Sequence, residues 1–273
     1  YIAMAHKFLH GSEDTTSYIG MGHGKTNLTN GTPHFVLTKP TLQFKRWTVI
    51  RRALRDHGDR LAPEAHAALT AAEARLGHVA RRAAQAEDIN SLRGHEGEAA
   101  QVYFGVFDAM LQGERPVFTF AGRSRRPPLD RVNALLSFLY AMLGHDCRSA
   151  LEGVGFDPQV GLLHADRPGR ASLALDLMEE LRPVLADRLA LTLINRGQLK
   201  TRDFAVDEGG AVSLTEDGRK AVLVAWQERK KRELRHPFLG ESMPMGLVAH
   251  VQAQLLARHL RGDLDGYPPF IWK

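Results

Sequence analysis

Residues 172–195, SLALDLMEELRPVLADRLALTLIN, decide the fold class of this chain. The stretch consists mostly of Leu, Ala and other good helix formers, and its leucines recur so closely that little of the helix is left for solvent. Pro183 interrupts it, because proline has no backbone N–H to donate and its ring clashes with the preceding turn. We therefore predict a long helical stretch with a break or kink at Pro183.

The sequence on both sides of this stretch also favours helices. Apolar residues at helical spacing predict them near residues 45–61, 63–90, 94–111, 130–143, 147–154, 215–235 and 243–261. Asp130 is a suitable N-cap, and Gly144 is predicted to end the helix that Asp130 begins. Residues 204–214 alternate around Gly209-Gly210 and predict a β-hairpin. The fold class is therefore mainly α.

The first 44 residues have a different composition. They are rich in Gly, Thr, His and Ser, and short apolar pieces at residues 34–37 and 42–44 could form strands. We predict a short β-rich or irregular N-terminal segment over residues 1–44 and a helical domain over residues 45–273.

The overall composition excludes several classes of protein. Of the 273 residues, 44% are hydrophobic and 25% are charged, which are ordinary values for a globular chain. No run of about 18 apolar residues is available to span a membrane. Cys147 is the lone cysteine, so neither an intrachain disulfide nor a multi-cysteine zinc site can form, and a reducing cytoplasm is expected. The net charge of +5 is compatible with binding to nucleic acid.

Glu96 heads an otherwise apolar helical stripe. Positions 96, 100, 103, 107 and 111 share one face, and the other members are Ala, Tyr, Phe and Leu. A buried carboxylate needs a cation, a set of hydrogen bonds or a proton. The alternative interpretation is that Glu96 only caps its helix near the N-terminus, where a negative charge is favourable.

His164 and two acidic residues downstream form a second candidate group. His164 ends the apolar run Gly161-Leu162-Leu163, which is predicted to be extended and buried, and a histidine there is often only structural. Asp176 and Glu179 are three residues apart and lie on one helical face. One imidazole with several carboxylates and no thiolate suits Mg²⁺ or Mn²⁺ better than structural zinc, and such ions commonly serve phosphoryl transfer.

Basic residues cluster where they could contact a phosphate backbone. Arg182 follows Glu179 on the same side of its helix, and a run of cations begins at Arg229. Each cluster alone is usually a solvated face, but several of them beside a metal site suit DNA. The residues predicted to bind DNA are Arg182, Arg229, Lys230, Lys231 and Arg232.

Several separate motifs resemble those of one known family. They are Gly94-His95-Glu96-Gly97, Gly161-Leu162-Leu163-His164 and Leu175-Asp176-Leu177-Met178-Glu179-Glu180, supported by residues 122–130 and the tail 262–273. The set resembles the metal-dependent DNA integrase/endonuclease of CRISPR adaptation, the CRISPR-associated protein that inserts new spacers in antiviral defence. It is most similar to the type I-C versions, over about residues 45–273. The family also carries an N-terminal β-strand domain, usually longer than 44 residues, to which residues 1–44 are not matched.

The resemblance implies a site and an activity. Carried over motif by motif, the metal ligands are Glu96, His164 and Glu179, with Asp176 as a second acidic catalytic residue and Arg182 as a basic residue beside the site. The implied enzyme is a nuclease and integrase that uses Mg²⁺ or Mn²⁺. A DNA 3′-hydroxyl, or water in hydrolysis, would attack a phosphodiester.

The resemblance also implies partners. They are double-stranded DNA, both spacer precursor and repeat, a second copy of the chain in a homodimer, and the small second CRISPR adaptation protein, with no membrane. The competing hypothesis is a non-catalytic, basic helical DNA-binding scaffold whose acidic site is degenerate.

Overall fold

The computed structural model describes residues 41–114, 116–165 and 167–271, with side chains from residue 46 onward. Its first element is helix α1, Thr41–His57. The strand predicted at residues 42–44 is therefore wrong: no turn residue separates these residues from the helical pattern that follows, and they form the first turn of α1. The prediction for residues 1–40 lies outside the described residues, and the division into 1–44 and 45–273 stays a prediction.

Two helices pack beside α1. Helix α2 spans Pro63–Ala84 and helix α3 spans Ile89–Gly105. Pro63 is tolerated in the first turn of α2 because the N–H it lacks would have no helical partner there. The side chain of Asp88 caps α3 by accepting the backbone N–H groups of Asn90 and Ser91 at 2.8 and 2.9 Å. Helix α3 thus begins five residues before the predicted start at Gly94.

Helix α4, Arg131–Gly153, passes through the core of the described part of the chain. Asp130 caps it as predicted, since its carboxylate accepts the Asn133 N–H at 2.7 Å. The predicted end at Gly144 is wrong. Leu139, Leu143 and Cys147 continue one buried stripe across the glycine, and this packing outweighs its low helix propensity.

The helical stretch over residues 172–195 is interrupted near Pro183, as predicted. Helix α5, Ser172–Glu179, ends four residues before Pro183. A π-helix, Arg182–Asp187, follows and leads into helix α6, Arg188–Asn195. The break separates Glu179, the last residue of α5, from Arg182, the first residue of the π-helix.

The C-terminal part contains two small hairpins and two helices. In chain order the elements are β1 Phe204–Val206, β2 Val212–Leu214, helix α7 Glu216–Lys231, β3 Glu233–Arg235, β4 Ser242–Pro244 and helix α8 Val248–Leu260. The antiparallel pair β1–β2 confirms the predicted hairpin, and Gly210 supplies its left-handed residue with φ +80°. The pair β3–β4 was not predicted, because the polar sequence of β3 continues that of α7 and only pairing with β4 makes it a strand.

The helices enclose a continuous apolar core, which confirms the mainly α fold class. Its largest fully buried side chains include Trp226, Tyr103, Phe107 and Phe118. Among the described residues, no helix has both the length and the apolar character needed to cross a membrane.

Candidate metal centre

Glu96 lies in the interior of helix α3, eight residues after its N-cap Asp88. The interpretation of Glu96 as a helix cap is therefore wrong, because Asp88 already occupies that position. Tyr103, on the same helical face, is fully buried, so this face does point into the protein. Glu96 itself is half-buried and lines a cleft.

Asp176 organises the loop that carries His164. Its Oδ2 accepts the backbone N–H groups of Leu162 and Leu163 at 2.6 and 2.9 Å, and its Oδ1 accepts that of His164 at 2.9 Å. The predicted extended strand is absent from residues 161–164, and residues 162–164 form bends. This carboxylate, rather than a neighbouring strand, satisfies their amides.

The same carboxylate orients the His164 ring. Asp176 Oδ1 lies 2.6 Å from His164 Nδ1. In its ionised form a carboxylate only accepts hydrogen bonds, so this contact favours the imidazole tautomer with its hydrogen on Nδ1 and its lone pair on Nε2. Metal-binding histidines commonly hold their second nitrogen in this way. Asp176 therefore supports His164 and is not part of the group of ligand atoms described next.

Glu96, His164 and Glu179 meet although they come from α3, a loop and α5. One ligand atom from each lies within 4.8 Å of the other two. Ligands about 2.1 Å from an octahedral ion lie up to about 4.2 Å apart, so only a small side-chain movement would complete a shared site. Two carboxylates and one imidazole are a donor set that fits Mg²⁺ or Mn²⁺.

Two arginines neutralise Glu179, which is only 5% exposed. Arg46 Nη2 lies 3.5 Å from one carboxylate oxygen, and Arg182 Nη1 donates a hydrogen bond to the other. Burial favours the protonated form, but Arg182 and Arg46 outweigh it and lower the pKa of Glu179 below its usual value. Glu179 is therefore ionised at neutral pH, the form that a candidate metal ligand needs.

Glu96 has the opposite shift. Its burial raises the pKa of this carboxyl group, and repulsion from Glu179 raises it further. A divalent cation between the two carboxylates would replace this repulsion by attraction. The mutual repulsion of Glu96 and Glu179 therefore favours a bound cation, as does the set of two carboxylates and one imidazole.

A layer of polar residues beneath the site was missed by the sequence reasoning. Asp187 accepts hydrogen bonds from the hydroxyls of Tyr103 and Tyr140 at 3.0 and 2.6 Å, and the guanidinium of Arg182 lies 5.1 Å from the centre of the Tyr140 ring. One signal was available for the buried Arg46. It precedes the buried Ile50 by one helical turn, so it shares the inward face of α1.

The three candidate ligands line a basic cleft of about 1390 Å³. Arg182 lies in this cleft beside Glu179. The further arginines that line it are Arg46, Arg93, Arg123, Arg125, Arg126, Arg148, Arg167 and Arg170.

The other four residues predicted to bind DNA lie elsewhere, at the end of α7. Arg229 is only 7% exposed and donates to the Val184 carbonyl at 2.7 Å, so most of its side chain is shielded from bulk solvent. Lys230 pairs with Asp146 at 2.9 Å. Lys231 is exposed and pairs with Glu228, and Arg232 is exposed. That these four residues bind DNA stays a prediction.

Comparison with curated proteins identifies close relatives of this chain. The CRISPR-associated endonuclease Cas1 2 of Rhodospirillum rubrum is 65% identical over 227 residues, which are 82% of this chain and 66% of the relative. The chain spans about two thirds of the length of the first curated relatives it matches.

Solved structures with the same fold extend this comparison. A chain in a partial Cas6-RT-Cas1–Cas2 complex superposes with a TM-score of 0.65 at 26% identity, covering 90% of this chain and 74% of that one. A casposase bound to an integration product superposes with a TM-score of 0.69 at 20% identity, covering 96% and 65%, and shares the fold. The profile of the family described as CRISPR associated protein Cas1 matches residues 44–228, more than half of the 273 residues. This protein therefore belongs to the Cas1 family.

Proposed function

We propose that this protein is a divalent-metal-dependent DNA integrase and endonuclease of CRISPR spacer acquisition. The observation that carries the proposal is the meeting of Glu96, His164 and Glu179 within 4.8 Å, at the wall of an arginine-lined cleft. The name of the Rhodospirillum rubrum relative, a Cas1 endonuclease at 65% identity, supports the same activity.

The site needs an ion of the Mg²⁺ or Mn²⁺ class. Glu96 and Glu179 would each supply a carboxylate oxygen, and His164 would supply Nε2. When bound, such an ion polarises a phosphate oxygen and favours the deprotonated form of a hydroxyl nucleophile. Asp176 keeps the hydrogen of His164 on Nδ1, away from the ligand position.

The proposed reaction is a transesterification that needs no nucleotide fuel. The 3′-hydroxyl oxygen of a spacer precursor bonds to a phosphorus of the repeat, and the bond from that phosphorus to the leaving 3′-oxygen breaks. The attacking hydroxyl loses its proton to solvent, and the leaving oxygen gains one. In hydrolysis, water takes the place of the 3′-hydroxyl.

The cleft arginines would bind the phosphate backbone on both sides of the reacting phosphate. Arg125, Arg126 and Arg167 are exposed there and leave their guanidinium groups available for phosphate oxygens. Arg182 is closer to the reacting atoms because it hydrogen-bonds the ligand Glu179. We therefore assign DNA binding to this cleft and to Arg182 rather than to the cluster on α7.

The proposed partners follow from the same assignment. They are double-stranded DNA as spacer precursor and repeat, a second copy of this chain, and the small second adaptation protein. A complex that contains Cas1 and Cas2 includes a chain of this fold at 26% identity, which supports the last of these. The type I-C assignment rests on the sequence motifs alone and is part of this proposal.

The test is joining of a fluorescent DNA duplex with a 3′-hydroxyl to a supercoiled plasmid that carries a repeat, with MnCl₂, with MgCl₂ and with EDTA. We expect product with divalent ions and none with EDTA or with His164→Ala. His145→Ala is the matched control, because His145 lines the same cleft but lies outside the group of three ligands. It should keep its activity.

Two outcomes would reject the proposal. Product formation by His164→Ala equal to that of wild type would show that the three residues do not form the reactive site. Metal-independent DNA binding without any joining or cleavage, in the presence of the second adaptation protein, would favour the non-catalytic scaffold.

A further inference from the structure

A groove of about 560 Å³ lies between helices α6 and α7, apart from the metal site. Its apolar lining comes from both helices: Leu189, Leu193, Ala221, Val224 and Ala225. Val224 is 58% exposed although it is aliphatic. Val224 and the exposed Ala221 therefore present aliphatic surface to solvent within this groove.

A buried arginine without an acidic partner lines the same groove. Arg229 is 93% shielded from solvent, and among the described residues its side chain has one identified acceptor, the Val184 carbonyl. Its buried Nε has no hydrogen-bond partner in that part of the chain. Buried charges in folded proteins are normally paired, so this guanidinium has unused donors for an anion.

The positive charges around Arg229 favour binding of an anion beside it. Burial, together with repulsion from the neighbouring cations Arg232 and Arg52, lowers the pKa of Arg229 to about 10. The group still carries its charge at neutral pH. Of the two acidic residues at the groove, Glu228 is already paired with Lys231. The basic members of the lining are Arg196, Lys220, Arg229 and Arg232.

We propose that this groove docks a segment of a partner protein in which a carboxylate is flanked by aliphatic side chains. The aliphatic side chains would pack on the exposed Ala221 and Val224, and the carboxylate would accept hydrogen bonds from Arg229. The cations at the rim would attract such a segment and disfavour a basic one. The proposal is independent of the catalytic activity proposed above.

The apolar floor favours a protein segment over DNA. A phosphate backbone carries charge at every nucleotide and has no aliphatic group to cover Val224. The occupant must cover Val224 with an aliphatic group and place one anion beside Arg229. A short peptide can carry both groups within a few residues. The cluster at the end of α7, predicted from sequence to bind DNA, is thereby reassigned.

The test is selection of peptides from a random display library on the immobilised full chain. Counter-selection uses Val224→Ser, an exposed change that removes apolar contact without adding charge. Arg219→Ala is the matched control, an exposed cation on the same helix that does not line the groove. One enriched peptide is then synthesised with its acidic residue as Asp or as Asn, and its affinity is measured by calorimetry.

We expect enriched peptides to share an acidic residue with aliphatic neighbours. Loss of an aliphatic contact should weaken binding roughly 10-fold in Val224→Ser, and the Asn peptide should bind at least about 10-fold more weakly than the Asp peptide. Arg219→Ala should bind both as wild type does.

Three results would overturn the proposal. They are no enrichment over Val224→Ser, enriched peptides without a carboxylate, and competition for the peptide by a DNA duplex whose own binding is weakened by Val224→Ser. The last would assign the groove to nucleic acid. None of these results depends on whether the chain joins DNA.

Discussion

Replacing Asp176 by Asn tests how the site holds His164. Four donors converge on this carboxylate: three backbone N–H groups and His164 Nδ1, all within 2.9 Å. Asn has a single oxygen, so two of these donors would face its NH₂ group instead. Each hydrogen bond to a charged acceptor contributes about 1.5–3 kcal/mol, so Asp176→Asn should lower the free energy of unfolding by about 3 kcal/mol or more.

The substitution should also change the His164 ring. The Asn NH₂ group would donate to Nδ1, which moves the ring hydrogen to Nε2 and removes the lone pair that a metal needs. Loss of such a supporting hydrogen bond typically weakens metal binding by roughly 10–100-fold. Calorimetric titration with MnCl₂ measures this affinity, and long-range ¹H–¹⁵N spectra of the imidazole report the tautomer directly.

The control is Asp157→Asn. Asp157 also accepts a backbone N–H, that of Gln159 at 2.9 Å, but in a turn that does not line the metal site. It should leave the Mn²⁺ affinity and the His164 tautomer unchanged. The reasoning is refuted if Asp176→Asn keeps both the wild-type tautomer and an Mn²⁺ affinity within about 2-fold of wild type, outside the range expected for a supporting residue.

Three further predictions concern charge. Burial raises the pKa of Asp187 to about 6 from 3.8, so its contribution to stability is fully present below pH 3.8 and is lost as pH rises through about 6. In urea titrations, Asp187→Asn should therefore gain stability relative to wild type between pH 4 and 7, and a constant difference across that range would contradict the shift. Mn²⁺ should raise the thermal midpoint of wild type and raise that of Glu96→Gln much less, as measured by scanning calorimetry, and equal increases would exclude Glu96 as a ligand. Arg125→Ala should reduce the slope of log K against log[salt] for duplex DNA by about 0.9, whereas an unchanged slope would remove Arg125 from the DNA path.

The sequence could predict the elements whose pattern is local. The spacing of leucines predicted the helices, Pro183 predicted the break after α5, and the alternation around Gly209-Gly210 predicted the first hairpin. The second hairpin could not be found in this way, because β3 is polar and becomes a strand only by pairing with β4. The end of α4 was misplaced because burial against neighbouring helices overrode the preference of Gly144.

The sequence by itself determined the helical fold class and, through its motifs, the residues Glu96, His164 and Glu179 as candidate ligands. Only the tertiary structure decided that these three meet, since they are separated by 68 and 15 positions along the chain and come from different elements. It also decided the roles of the charged residues. Whether an arginine binds DNA, neutralises a ligand as Arg46 does, or lies buried as Arg229 does depends on solvent exposure and on nearby charges. Both are set by packing between elements distant in sequence, which local sequence patterns do not encode.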